Sequence, residues 1–307
     1  MGNQSNKKEN IFWIFFSKFI RIQDTAYWIA VSFLGFILGI TSLSFSTYII
    51  PFLVLLISIF CIISFTFSIN NLYDVETDKK NKRRIDVNPI ASRKFSLKTS
   101  KIIILTLTVI PLIISFIFGY IKLFLFTASL LFLGWAYSAP PLRLKGRPGF
   151  DLLIHFLGFF LYVIYGSYIA GRIEYLSILV AASVGLASCI SQMANHIMDY
   201  IPDKESGILT FAVWVGKDKA KITMYLFVVL HLILIIPILI IYALNSYGVY
   251  LILFAGLIFS LYLSTPKKTF DIKKIKFIVF IFYFSLFIYL SIAYSIIASF
   301  SSFMLNS

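Results

Sequence analysis

Residues 70–78 read NNLYDVETD and residues 195–203 read NHIMDYIPD, so that the pattern Asn-x3-Asp-x3-Asp occurs twice. Each copy lies where a long apolar run ends and a charged stretch begins. Carboxylates are costly beside hydrocarbon, so acids at the edge of a membrane indicate function. Two matched sets predict one site that binds divalent cations, and those cations would hold a strongly anionic ligand.

The apolar runs on either side of these motifs are long enough to cross a bilayer. The chain has 307 residues, of which 60% are hydrophobic and 13% charged, and its mean hydropathy is +0.92. A soluble domain is nearer half apolar and a quarter charged. We therefore predict an all-α, polytopic membrane protein with nine transmembrane helices. The predicted cores are 27–45, 48–69, 102–119, 123–138, 152–170, 175–194, 222–244, 247–264 and 277–299.

The basic residues give this assignment an orientation. With nine spans, 25 of the 27 Lys and Arg residues fall on one side, and only Lys122 and Arg172 fall on the other. By the positive-inside rule, the basic side is cytoplasmic. We predict a multi-pass cell-membrane protein with its N-terminus and both acidic motifs in the cytoplasm and its C-terminus outside. The net charge of +14 then reflects topology, and no basic soluble face is left for nucleic acid.

The spacing of the motifs also predicts an internal organisation. The copies are 125 residues and four spans apart, which indicates two four-helix units, spans 1–4 and 5–8, followed by one further helix. The corresponding domain prediction is a cytoplasmic segment over 1–24, a single transmembrane domain over 25–303 and a short tail over 304–307.

Each motif can place its three polar side chains on one face of a helix. Positions i and i+4 share a face, and i+8 lies about 80° further round. If the two stripes face each other, four carboxylates and two amides converge, and hard oxygen donors favour Mg²⁺ over zinc. The alternatives are acids that are simply solvated at helix ends, or helix capping, which an acid at a helix C-terminus serves poorly.

A basic loop separates spans four and five. Residues 137–151 read YSAPPLRLKGRPGFD, and Pro140 and Pro141 end the fourth span. Arg143, Lys145 and Arg147 alternate along this short loop, which suits a phosphate clamp. The alternative for each of these cations is a purely topological role beside anionic lipid.

The two motifs, the 137–145 stretch and the NPIAS turn at 88–92 together resemble the UbiA superfamily of intramembrane prenyltransferases. The resemblance runs from about Arg21 to the last span. It implies a membrane enzyme with a central cavity open to lipid, in which Mg²⁺ bound to the acidic motifs holds the diphosphate of a polyprenyl donor.

The resemblance also implies roles for individual residues. The metal ligands would be Asp74, Asp78, Asp199 and Asp203. The catalytic residues would be Tyr137 and Lys145, near the allylic carbon and the diphosphate, together with Asp74 and Asp199. The substrate-binding residues would be Asn70, Arg21, Arg143, Lys145, Arg147 and Asn195.

The implied reaction is ionisation of the donor followed by attack of a lipophilic acceptor. Neutralising the diphosphate lets the allylic C–O bond ionise, and aromatic faces stabilise the cation. The proton is then lost either to an aspartate of a motif or to the diphosphate. The acceptor is expected to be a carotenoid, a glycerol-phosphate lipid or a quinone precursor, and the sequences at 88–92 and 199–216 favour the first two. No obligate protein partner is expected.

Two other functions fit the same residues. A cation-coupled transporter could use the acids as an ion site, although transporter sites lie near the bilayer midplane and use broken helices. A non-catalytic protein that binds lipid diphosphates is the third interpretation.

Overall fold

The computed structural model describes residues 10–41, 45–80 and 84–242. Predicted spans eight and nine, the basic loop at 265–276 and the tail at 304–307 lie outside the described residues, as do residues 1–9. Throughout the described ranges the regular structure is helical. The helices are α1 (Ile11–Ile14), α2 (Ile22–Gly39), α3 (Phe45–Tyr73), α4 (Val75–Lys80), α5 (Leu97–Ser138), α6 (Phe150–Ala170), α7 (Tyr175–Met198), α8 (Tyr200–Glu205), α9 (Phe211–Val215) and α10 (Lys217–Tyr242).

Six of these helices, namely α2, α3, α5, α6, α7 and α10, are long and apolar enough to cross a membrane. They overlap the first seven predicted spans, because α5 includes both the third and the fourth. The chain is therefore a multi-pass membrane protein, and the total of nine spans stays a prediction.

Helix α5 folds back on itself and forms two spans. A straight helix of its 42 residues would be roughly 63 Å long, about twice the hydrocarbon thickness of a bilayer. At Tyr120 the backbone leaves the helical region (φ 48°, ψ −148°). The hydroxyls of Ser115 and Thr127 lie 2.5 Å apart, whereas twelve residues of straight helix would separate them by roughly 18 Å. The two segments thus form a hairpin, as the predicted boundary between spans three and four required.

By its contacts the chain divides into two compact units, and each is described by itself. The first contains the residues up to Ala30 and Leu56–Arg143, and the second contains Val31–Leu55 and the residues from Leu144 onward. The predicted grouping of spans 1–4 and 5–8 is not confirmed by this division, which cuts through α2 and α3.

Close packing of α2 against α6 explains part of this difference. A Cβ atom added to Gly35 would overlap the backbone carbonyl of Val163, and one added to Gly166 would overlap the carbonyl of Ser32. The hydroxyl of Ser167 donates a hydrogen bond to the Gly35 carbonyl at 2.7 Å. Small residues that allow backbones to approach are a common way for membrane helices to associate. The second half of α2 therefore belongs with α6.

A buried apolar cluster in the first unit includes residues next to the first acidic motif. It contains Phe19, Ile20, Val75 and Ile90, and Phe95 packs against it. The rings of Phe19 and Phe95 have their centroids 5.2 Å apart. The segment before α2, the helix α4 and the turn after residue 88 are thereby held together by apolar burial.

A second cluster holds α6, α7 and α10 together within the other unit. Its buried members include Leu152, Met193, Ala220 and Met224, and Phe211 of α9 packs against them. This core fixes the last turns of α7, which carry the second acidic motif.

Candidate active site

The two acidic motifs have the same local backbone. In the first, α3 ends at Tyr73 and α4 begins at Val75, so that Asp74 occupies the break. Its N–H donates to the carbonyl of Asn70 at 3.0 Å, and the N–H of Asp78 donates to the carbonyl of Asp74 at 2.8 Å. The i to i+4 bonds therefore run through the break and keep the three polar positions in helical register.

The second motif repeats this geometry. Asp199 separates α7 from α8, its N–H donates to the carbonyl of Asn195 at 2.9 Å, and the N–H of Asp203 donates to the carbonyl of Asp199 at 2.8 Å. The sequence repeat is thus also a structural repeat at the level of the motif. The helical register assumed for both motifs is confirmed, although each helix is interrupted at its middle acid.

Cationic and polar side chains contact the first motif. Arg143 donates to Oδ1 of Asp74 at 3.2 Å, and Asp74 is buried whereas the guanidinium side chain is 45% exposed. Ser138, at the end of α5, donates to Oδ1 of Asn70 at 3.1 Å. Arg143 itself has a positive φ of 38°, which is unusual for a residue with a side chain. The basic loop therefore approaches the acids within the first unit.

Asn88 anchors the last acid of the first motif. Its amide nitrogen donates to Oδ2 of Asp78 at 2.9 Å and to the carbonyl of Asn71 at 2.8 Å. Its amide oxygen accepts from the N–H groups of Ile90 at 3.0 Å and Ala91 at 3.2 Å. Both donors and both acceptor positions of this buried amide are occupied. The ordered turn predicted at 88–92 is confirmed, and its contact with Asp78 is additional.

Asn71 ties the same region to the segment before α2. Its amide nitrogen lies 3.2 Å from the carbonyl oxygens of both Lys18 and Phe19. The residue is buried and follows directly after Asn70. The side chain of Asn71, next to the motif, thus bonds to the backbone of the segment before α2.

Arg21 lies near the first motif within the same unit. It has a positive φ of 49°, and its guanidinium carbon lies 5.2 Å from the ring centroid of Phe67. Burial lowers the pKa of Arg21 below its ordinary value, while the charges of Asp24, Asp78 and Asp74 oppose that shift. An arginine stays protonated under such a shift, so Arg21 places a positive charge beside these acids.

The remaining candidates divide between the two units. Tyr137 is half-buried and immediately precedes Ser138, so the contact of Ser138 with Asn70 holds it near the first motif. Lys145 lies in a short 3-10 turn, Leu144–Gly146, ahead of α6 in the second unit, and is half-buried, whereas Arg147 is exposed. The second motif belongs to this unit as well, where Asn195 and Asp199 are exposed. Asp203, the last acid of that motif, is half-buried.

A buried acid and a histidine meet beside the second motif. Oδ2 of Asp151 lies 3.0 Å from Nε2 of His196, and both side chains are buried. The motifs and their spacing did not predict this pair. A usable signal was present in the sequence, because two costly polar residues at the ends of adjacent apolar runs are expected to pair.

The donor set of the motifs fits Mg²⁺. Each motif supplies two carboxylates, and Mg²⁺ takes one or two protein carboxylates together with phosphate oxygens and water. The single bond that Asn88 makes to Asp78 leaves acceptor capacity on that carboxylate. Within the part of the chain that the structure describes, no three His, Cys, Asp or Glu side chains form a metal cage by themselves.

Long apolar helices that end in Asn-Asp-Asp motifs, with an arginine on one motif, define an integral membrane protein that carries acids at the ends of two of its spans. The profile of the UbiA prenyltransferase family matches residues 28–287. The chain belongs to this family, which confirms the resemblance drawn from the motifs.

Several curated relatives match over part of their length. A digeranylgeranylglyceryl phosphate synthase of Korarchaeum cryptofilum is 28% identical over 159 residues, covering 52% of this chain and 54% of the relative. A lycopene elongase/hydratase of Corynebacterium glutamicum is 31% identical over 169 residues, covering 54% and 58%. The chain therefore spans just over half the length of these curated relatives.

Solved structures share the fold over nearly the whole chain. A UbiA homologue from Archaeoglobus fulgidus, bound to GPP and Mg²⁺, has a TM-score of 0.66 at 21% identity and covers 93% of this chain and 99% of that one. The apo structure of a UbiA homologue from Aeropyrum pernix K1 has a TM-score of 0.67 at 15% identity, covering 91% and 99%. These similarities support the all-helical membrane fold, and the transporter interpretation gains no support from them.

Proposed function

We propose that the protein is a Mg²⁺-dependent prenyltransferase that moves a polyprenyl group from an isoprenyl diphosphate to a lipophilic acceptor within the membrane. The observation that carries this proposal is the first motif, where Asn70, Asp74 and Asp78 stay in helical register and Arg143 contacts Asp74. Acids for a metal and a guanidinium for a phosphate then occur together at the end of a membrane span. Relatives that act on prenyl diphosphates support the same reaction class.

The proposed metal ligands are Asp74 and Asp78 in one motif and Asp199 and Asp203 in the other. When bound, Mg²⁺ would neutralise the diphosphate and favour its departure. The residues of the chain itself would bind the diphosphate and orient the metal ligands. Asn88 holds the carboxylate of Asp78 in place, and the half-exposed guanidinium of Arg143 is free to pivot between Asp74 and a phosphate oxygen because solvent reaches it.

Other residues complete the proposed substrate site. Arg21 adds a positive charge near the first motif, and its guanidinium carbon lies 5.2 Å from the centroid of the Phe67 ring, a contact that helps to hold it there. Tyr137 supplies an aromatic face for the allylic cation. Lys145 and Arg147, from the loop ahead of α6, supply cations for the diphosphate. Asn70 and Asn195 act as oxygen donors beside the acids.

The proposed acceptor is a carotenoid or a glycerol-phosphate lipid, which is the class named for the archaeal and corynebacterial relatives. The proposed orientation has the motifs on the cytoplasmic side, as the distribution of Lys and Arg predicts. The 1–24 segment and the single domain over 25–303 belong to the same proposal.

The test uses the purified full chain in lipid nanodiscs with labelled geranylgeranyl diphosphate, Mg²⁺ and, in separate reactions, lycopene and geranylgeranylglyceryl phosphate. We expect a prenylated product with one acceptor and a rate at least about 100-fold lower in Asp74→Ala, because a metal ligand is lost. Glu76→Gln is the matched control. Glu76 lies between the two acids, but it is exposed and paired with Lys79 at 2.7 Å, so its variant should keep the wild-type rate.

Three outcomes would contradict the proposal. Asp74→Ala could retain full activity, or the wild-type protein could bind the donor without turnover for either acceptor, which would support a non-catalytic binder. Proton or sodium flux in liposomes without prenyl transfer would support the transporter.

A further inference from the structure

The buried Asp151–His196 pair joins the first turn of α6 to the last turn of α7. Asp151 is the second residue of α6, and His196 lies three residues before Asp199, where α7 ends. The contact between Oδ2 of Asp151 and Nε2 of His196 is 3.0 Å. A side chain on another helix therefore holds the turn from which the second acidic motif begins.

Capping of α6 explains only half of what Asp151 does. Its Oδ1 accepts from the N–H of Gly149 at 3.1 Å, and an acid in the first turn is favourable with the helix dipole. Neither fact requires His196. A carboxylate this deeply buried needs partners for both oxygens, and the second oxygen has its partner in His196 on α7.

The hydrogen-bond geometry assigns the proton of His196 to Nε2, which faces the carboxylate. The side-chain amide of Gln192 also ends 3.1 Å from Nε2, and only its oxygen can accept from a protonated Nε2. Nδ1 is buried and has no hydrogen-bond partner among the described residues. A proton on Nδ1 alone would leave an unsatisfied buried donor and no hydrogen bond to the carboxylate, so Nε2 carries a proton in this contact.

A neighbouring contact shows that the two turns are fixed in register. The thiol of Cys189, two turns before His196, donates to the carbonyl of Leu152 at 3.3 Å, and both residues belong to one buried cluster with Met193. The apolar cluster presses the helices together, while the Asp151–His196 bond fixes their rotation because a hydrogen bond is directional. The carbonyl of Asn195 and the N–H of Asp199 form the next bond along the chain.

We propose that Asp151 and His196 are positioning residues that hold the second acidic motif in the geometry needed to bind Mg²⁺ and diphosphate. This inference rests on the proposed function. Outer partners that orient metal-binding groups typically change metal affinity by about 10- to 100-fold when they are removed. The pair would act through Asn195 and Asp199 without touching the substrate.

The test compares variants that break the bond with variants that keep it. Asp151→Ala and His196→Asn remove it, whereas His196→Gln keeps a donor near the position of Nε2. Asp151→Asn keeps one acceptor for the two donors that meet the carboxylate, and so keeps only one of its two hydrogen bonds. We expect the Mg²⁺ concentration at half-maximal rate to rise about 10-fold in the first two variants and less than about 3-fold in His196→Gln, with Asp151→Asn between them. The double variant Asp151→Ala/His196→Asn should be no worse than either single variant, because one shared interaction is lost.

Ser183 and His231 provide the matched control on the same helix α7. The hydroxyl of Ser183 lies 3.0 Å from Nδ1 of His231, and both residues are buried far from the motif along the chain. Ser183→Ala should lower the unfolding temperature without changing the Mg²⁺ requirement. An equal Mg²⁺ shift in Ser183→Ala, or an unchanged requirement in Asp151→Ala, overturns the inference.

A binding measurement separates this inference from the proposed function. The rise in unfolding temperature on adding Mg²⁺ with inorganic pyrophosphate is recorded for the same variants. If the wild type shows this rise but no prenyl transfer, the proposed activity fails. The pair is still supported if Asp151→Ala then needs about 10-fold more Mg²⁺ for the same rise, and it is refuted if that variant behaves like the wild type.

Discussion

Replacing Asn88 tests whether the turn at 88–92 holds the first acidic motif. The alanine variant removes the donors to Asp78 and to the Asn71 carbonyl and the acceptor for two backbone N–H groups. A buried polar group left without its partner costs about 1–3 kcal/mol. Since some of the four freed groups will find water or a neighbour, we expect a total loss of roughly 3–6 kcal/mol.

Asn88→Asp is predicted to be worse than the alanine variant at neutral pH. It replaces a donor by a carboxylate at about the position that now lies 2.9 Å from Oδ2 of Asp78. Two like charges at that separation repel by about 6 kcal/mol at an effective dielectric constant near 20. The pair would share one proton, and its folded-state pKa would be raised. Stability should therefore be highest at acidic pH and fall as pH rises through that raised pKa.

The assay is thermal unfolding in detergent, together with the Mg²⁺ concentration at half-maximal prenyl transfer. Asn10→Ala is the matched control, because Oδ1 of Asn10 also accepts from the N–H two residues on, at 3.0 Å, but in an exposed position. Loss of such a cap costs about 1 kcal/mol or less. The reasoning is refuted if Asn88→Ala unfolds at the same temperature as Asn10→Ala and needs no more Mg²⁺ than the wild type.

Arg143→Ala should raise the KM for the diphosphate donor about 10-fold. Arg143→Lys should have a KM between those of Arg143→Ala and the wild type, because the charge remains while the guanidinium that contacts Asp74 is lost. Steady-state kinetics measure both values. Gly166→Val should lower the free energy of unfolding by about 1–3 kcal/mol or more, because a Cβ would overlap the Ser32 carbonyl. Gly158→Val on the same helix is the control, since a Cβ there meets nothing within 4 Å. The unfolding temperatures of the two variants are compared. EDTA should abolish turnover, and Mg²⁺ should restore it better than Zn²⁺, since the motifs offer oxygen donors; the rate after each addition is the measurement.

Local features were predictable from the sequence because local physics determines them. Apolar runs long enough for a bilayer gave the first seven spans, and the i, i+4, i+8 spacing of Asn70, Asp74 and Asp78 gave their helical register. The boundary at about residue 120 was also predictable, since Lys122 interrupts an apolar stretch too long for one crossing. None of these inferences needs a contact between distant segments.

Long-range partners were not predictable in the same way. The turn at Asn88 was expected to be ordered, but its bond to Asp78 depends on how the loop returns to α4. His196 and Asp151 are 45 residues apart, and their contact depends on the rotation of α6 against α7. Apolar periodicity carries little information on that rotation when a helix is hydrophobic all round.

The sequence of α2 contains a signal for its packing against another helix, and the predicted grouping of spans did not use it. Gly35 and Gly39 are four residues apart on an apolar helix, which is the spacing typical of close helix contacts. Both glycines approach α6, where a Cβ on Gly39 would lie 2.5 Å from the carbonyl oxygen of Ser167. Counting spans in blocks of four takes no account of such packing, so the sequence repeat alone does not predict which segments pack together.

The hairpin of α5 makes the tolerance of this region to insertions and deletions strongly uneven. Extra residues at the exposed Tyr120 would lengthen a turn and leave both arms in place. A single residue inserted between Thr127 and Ser138 would instead rotate the end of the second arm by about 100°. Ser138 would then face away from Asn70, and the basic loop would start in a different direction. Natural length variation among homologues should therefore concentrate at the tip and avoid the last three turns before the loop.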